Sequence, residues 1–198
     1  MQTSYIFTIA VNCGKIARVA LESFHKHHDR YVNVFGTAAD FHAMGEIVNH
    51  PHNILIDVGN FPIMQLFKEG HAGTARVFAQ ALLFKEKYQS LYRPHRMIHF
   101  DSDIFFKKES ISLIENAFAK GYDLIGSRRC FGNNPSGVPG LEGYNDTIST
   151  YFMGINTQKL PEYELEYLTK MCQGVVSPSD KPILDFFDPV SHEIMDHA

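Results

Sequence analysis

Asp101 and Asp103 flank Ser102 directly after the apolar stretch Met97-Ile98-His99-Phe100. Two carboxylates so spaced offer a partial, all-oxygen shell for a hard cation, Mn²⁺ or Mg²⁺, whose other positions a diphosphate and water can fill. Without a counter-charge, acids this close repel and one pKa rises; a cation removes that penalty. Asp-x-Asp alone is a weak motif, and the same residues suit a helix-entry turn in which both acids accept from backbone amides. Context favours the metal: this is the only such triplet in the chain, and it ends a short strand within an alternating α/β pattern.

The elements that must carry this turn are legible as periodicities. Residues 5–11 form a nearly continuous apolar run, the pattern of a strand buried on both faces. Residues 15–28 read as a helix with Ile16, Val19, Ala20 and Phe24 on its inner stripe. A strand at 31–35, a helix at 40–48 and a strand at 53–58 follow. Strand–helix alternation implies right-handed crossovers and a mostly parallel sheet with helices on both faces. Ligands of such sheets bind beyond the carboxyl ends of the strands. Further on, a helix is expected at 74–88, a strand at 97–100 and a strand at 122–126. Ser112 and Glu115 read as a capping box, which predicts a helix over 113–120 that stops at Gly121. A Gly-, Pro- and Asn-rich stretch at 130–145 is a candidate binding loop. A strand at 151–155 and helices at 162–172 and 180–187 complete the expected α/β domain over residues 1–198.

Composition narrows the function. Of 198 residues, 44% are hydrophobic and 20% charged, which fits a globular domain with a substantial core. The net charge of −4 argues against a nucleic-acid partner. Three cysteines without CxxC spacing predict free thiols in a reducing compartment, and eleven histidines show no HExxH or finger spacing. No run of about 18 apolar residues and no basic leader is present, so a cytoplasmic location without a membrane span is expected.

The sequence resembles the GT-A-fold, nucleotide-sugar glycosyltransferases. The likeness is carried by Gly73-Thr74-Ala75-Arg76-Val77-Phe78, then Arg96 through Ile104 with Asp-Ser-Asp at its centre. Ser149-Thr150-Tyr151-Phe152-Met153-Gly154-Ile155-Asn156 is similar to the family's acceptor-side strand, with Met153 where asparagine is usual. Ser179-Asp180-Lys181-Pro182-Ile183-Leu184 is similar to its Pro-Asp-Gln-Asp-x-Leu stretch, without the glutamine. The resemblance implies a UDP-sugar donor, a glycan or glycoprotein acceptor and a bound Mn²⁺ or Mg²⁺. It implies direct metal ligation by Asp103, and an Asp101 shared between metal and ribose with the Ser102 backbone nearby. Arg76 would meet the diphosphate, Val11 and Asn12 would border the uracil, and Gly154 would line the donor site. A late histidine is often a third metal ligand in that family; His192 and His197 are the candidates here, with no histidine ligand as the alternative. Asp180 would be the base of an inverting reaction, which the missing glutamine favours slightly over a retaining one, with Asp185 and Asp188 as competitors for that role and a helix N-cap as its structural alternative.

Two other classes fit part of the pattern. Haloacid-dehalogenase-like phosphatases also place Asp-x-Asp after a hydrophobic strand, and Asp180 with Asp185 has the spacing of their second acidic pair. That motif, however, usually opens the chain, whereas three strand–helix units precede it here. A non-catalytic sugar-binding module requires only that the acids be structural.

Overall fold

The computed structural model describes residues 4–62, 64, 96–128, 148–156 and 192–195. The expected helices at 74–88, 162–172 and 180–187 and the loop at 130–145 lie outside these residues. The described elements are β1 (Tyr5–Ile9), α1 (Gly14–His27), β2 (Val32–Gly36), α2 (Ala38–Met44) and β3 (Asn53–Asp57), then β4 (Arg96–Phe100), α3 (Ser110–Ala119), β5 (Leu124–Arg128), β6 (Ile148–Asn156) and β7 (His192–Met195).

Seven described strands form one sheet in the order β3-β2-β1-β4-β6-β5-β7. The pairs β1–β2, β2–β3, β1–β4 and β5–β7 are parallel, and β6 runs antiparallel to both β4 and β5. This is the mostly parallel α/β sheet that the strand–helix alternation predicts and that the resemblance implies. The reversed strand has no counterpart in the sequence reading. Strand direction follows from which neighbour β6 joins, and an apolar run carries no sign of that.

One face of the sheet carries Ile6, Val34, Ile98, Phe100 and Ile125, buried with α1 and α3. Phe24 of α1 stacks on Phe100 at 5.6 Å, and Phe106 meets both rings edge-on at 4.9 and 4.8 Å. Such offset and edge contacts add to simple burial. Gly154 of β6 stands opposite Ile98 and Ile125. A Cβ there would lie 2.5 Å from the Ile114 Cγ2 and 2.8 Å from Phe118 Cζ, so its missing side chain lets α3 seat on the sheet. The second face presents Phe7, Phe35, Met97, His99 and Met153, all buried.

Local readings needed three corrections. The inner stripe of α1 is Ala17, Ala20, Leu21 and Phe24, while Ile16 and Val19 are 52% and 36% exposed. Counting i, i+3, i+4, i+7 from Ala17 gives the observed face, because small alanines let the helix approach the sheet closely. The helix at 40–48 ends at Met44, since Gly45 takes φ +67° and the chain continues as a 3₁₀ turn to Asn49. The Ser112–Glu115 capping box does not form: α3 begins at Ser110, Ser112 donates to the Glu109 carbonyl at 2.9 Å, and Glu115 pairs with Arg30 at 2.9 Å.

Candidate functional site: the Asp-Ser-Asp turn at the carboxyl edge

Strands β1 to β5 all finish at the same edge of the sheet, and the antiparallel β6 enters there. Backbone ladders extend past the strand ends, from Ala10 N–H to the Phe35 carbonyl at 2.7 Å and from Val58 N–H to the Gly36 carbonyl at 3.0 Å. The segment 10–13 after β1 and the Asp101-Ser102-Asp103 turn after β4 are therefore neighbours, since β1 and β4 pair directly.

Asp101 leaves the core at this point. Its N–H donates to the Tyr151 carbonyl at 2.7 Å, and its side chain is 49% exposed. Asp103 is exposed and Ser102 half-buried. Under the turn lies His99, 1% exposed, with Nε2 3.7 Å from Asp101 Oδ1 and its ring 5.0 Å from that of Phe7. A buried imidazole at that distance confines the carboxylate on its inner side and leaves the solvent side for a ligand.

On the facing segment, Val11 is buried and Asn12 is exposed with φ +61°. Asparagine tolerates this left-handed geometry better than most residues, and it turns the chain sharply into α1. Cys13 follows as the N-cap residue of α1 but makes no side-chain cap. Its thiol lies 3.0 Å from the Ser102 hydroxyl, so a hydrogen bond joins the two segments across 89 residues of sequence.

The structure thus brings Val11, Asn12, Asp101, Ser102 and Asp103 to one place. It does not bring Gly154 there, because Gly154 pairs with Ile98 two positions inside the edge and faces α3. His192 is also remote: it opens β7 level with Leu124, at the amino edge. Arg76, Asp180, Asp185, Asp188 and His197 lie outside the described residues. Cys13, His99 and the Tyr151 carbonyl belong to the site and were not singled out from the sequence. The position of His99 directly before the triplet was a usable signal, whereas the Cys13 contact spans two distant segments and gave none.

The donor set suits a hard cation, being two carboxylates with solvent access on a single turn. Among the described residues, no cluster of three or more His, Cys, Asp or Glu is placed to hold a metal ion. A cation held here by the described protein groups would therefore rely on ligand or water oxygens for the rest of its shell.

No protein-family model matches the chain, and no curated protein matches it significantly. Solved structures of the same fold do match. One is the 4-diphosphocytidyl-2C-methyl-D-erythritol synthase of Anaerococcus prevotii, with a TM-score of 0.56 and 11% identity, covering 98% of this chain and 90% of that one. At that identity the likeness establishes the fold alone: the α/β architecture of that synthase, aligned over nearly the whole chain. No described helix is long and apolar enough to cross a membrane.

Proposed function

We propose that this chain is a metal-dependent glycosyltransferase that moves a hexose or deoxyhexose from a UDP-sugar to a hydroxyl of a glycan or glycoprotein. The observation that carries the reading is the exposed Asp-Ser-Asp turn, fixed at the carboxyl edge of this fold beside the segment after β1. The sequence also resembles the amino-terminal glycosyltransferase domain of the protein by which chloroviruses glycosylate their capsid, and that reading would put the reaction in a host cytoplasm.

Asp101 and Asp103 would hold Mn²⁺ or Mg²⁺, which supplies charge neutralisation of the departing diphosphate. Val11 and Asn12 would border the nucleobase, and Arg76 would add a charge-assisted contact to the pyrophosphate. For inversion, the acceptor oxygen attacks the anomeric carbon as its bond to UDP breaks, and Asp180 takes the acceptor proton. His192 stands at the amino edge, which leaves His197 or no histidine as a third ligand.

The phosphatase alternative loses support, because its motif would follow the first strand and here it follows β4. A second reading gains some. The A. prevotii neighbour is named as the synthase of a diphosphocytidyl compound, which favours nucleotidyl transfer on the same site. One assay separates the two. With Mn²⁺, glycosyl transfer releases UDP from a panel of UDP-sugars, whereas nucleotidyl transfer releases pyrophosphate from CTP or UTP in the presence of sugar or polyol phosphates.

A further inference from the structure

The N-cap position of α1 is occupied by a residue that does not cap. Serine, threonine, aspartate and asparagine are preferred there because their side chains accept from the first-turn amides. Cys13 makes no such bond. Its thiol instead reaches the Ile9 carbonyl at 3.7 Å and the Ser102 hydroxyl at 3.0 Å. With the S–H directed to Ile9, the Ser102 hydroxyl donates to sulfur.

The backbone around Cys13 is held independently of that thiol. Its N–H donates to the Ala10 carbonyl at 3.0 Å, and its own carbonyl accepts from Ile16 and Ala17 at 3.0 and 2.9 Å. Gly14 is pressed against the Asp40 backbone so closely that a Cβ would collide. Across the contact, the turn is fixed at one end by Asp101 N–H on Tyr151, and farther along by Phe106 N–H on the Ser23 hydroxyl at 2.9 Å. Ser102 lies between these anchors, where the two carboxylates are.

We propose that Cys13 is a positioning residue of the donor site, tying the segment that borders the nucleobase to the turn that carries Asp101 and Asp103. This rests on the reading of the site given above. Held by sulfur, the Ser102 hydroxyl limits the rotation of its turn, so both carboxylates are presented before ligand arrives. The preorganisation acts on metal-dependent binding of the diphosphate and leaves the cap, the helix and the core untouched.

The test compares wild type, Cys13→Ala, Cys13→Ser, Ser102→Ala and the Cys13→Ala/Ser102→Ala double variant by titration calorimetry with UDP and Mn²⁺, and with uridine alone. Thermal unfolding is followed in parallel. Loss of one hydrogen bond predicts UDP–Mn²⁺ affinity about threefold to tenfold weaker in Cys13→Ala. A similar loss is expected in Ser102→Ala, with no further loss in the double variant. Cys13→Ser, which keeps a hydrogen-bonding group, should recover most of the affinity; uridine binding should not change in any variant, nor the unfolding temperature in the alanine variants. Unchanged UDP affinity in Cys13→Ala, additive losses, or no recovery in Cys13→Ser would overturn the positioning role while leaving the donor-site reading intact. A wild-type chain that binds no UDP with Mn²⁺ would remove both.

Discussion

The N–H of Asp101 donates to the carbonyl of Tyr151 at 2.7 Å, continuing the β4–β6 pairing one step past Phe100 and Phe152. The first carboxylate of the Asp-Ser-Asp turn is thereby fixed to the one antiparallel strand among those described. A strand that enters at the edge where its neighbours finish can bring its first residues beside the turn that the fourth strand delivers.

The packing of β6 on α3 gives a prediction about Gly154. Gly154→Val should destabilise the fold by about 1–3 kcal/mol, because the added carbons meet Ile114 and Phe118 within a filled core. Urea unfolding measures this. The folded fraction should keep its UDP affinity, since the position faces α3 and not the carboxyl edge. Nucleotide affinity that falls while stability holds would assign Gly154 to the donor site instead.

Acid sensitivity should come from the opposite edge of the sheet. Burial is the main cause that holds His25 below its ordinary pKa of 6.5, opposed by its hydrogen bond to Asn53 and by Asp29, and reinforced by His50 and His52. The His25 and His50 rings stack with centroids 3.7 Å apart. Burial likewise lowers His28, which bonds the Lys107 carbonyl. A depressed histidine binds its proton more weakly folded than unfolded, so the stability it contributes is present above 6.5 and falls as pH drops below that value. The unfolding temperature of the wild type should decline between roughly pH 7 and 5, and His25→Gln should flatten that slope. An unchanged slope in the variant would place the acid sensitivity elsewhere.

The sequence-level reading reached the parallel half of the sheet because strands buried on both faces announce themselves as runs such as Tyr5-Ile6-Phe7-Thr8-Ile9. It found the Asp-Ser-Asp turn because a strand, a stop and paired acids are all local. The direction of β6, the packing role of Gly154 and the Cys13–Ser102 bond were not legible. Each depends on which distant segments become neighbours, and the last joins residues 89 apart. The stripe of α1 was misplaced for a smaller reason: Ile16 and Val19 look like core residues, but Ala17 and Ala20 take the inner face.

The proposed base has its own test. Asp180→Asn, nearly isosteric, should lower glycosyl transfer by roughly 10²-fold or more while UDP and Mn²⁺ affinities stay within a small factor. Proton NMR of the product should show inversion at the anomeric carbon. A retained anomer would reject Asp180 as the base of a single displacement without touching the transferase reading.

The central claim is that the Asp-Ser-Asp turn holds a cation for a nucleotide diphosphate, and titration calorimetry of UDP against the wild type and Asp103→Ala, each with and without Mn²⁺, tests it most directly. Asp103 is exposed and outside the core, so the variant should unfold at the wild-type temperature. UDP should bind the wild type only with Mn²⁺, and Asp103→Ala should bind it weakly or not at all under either condition. Equal UDP affinity in the two proteins, or wild-type binding indifferent to Mn²⁺, would contradict the account.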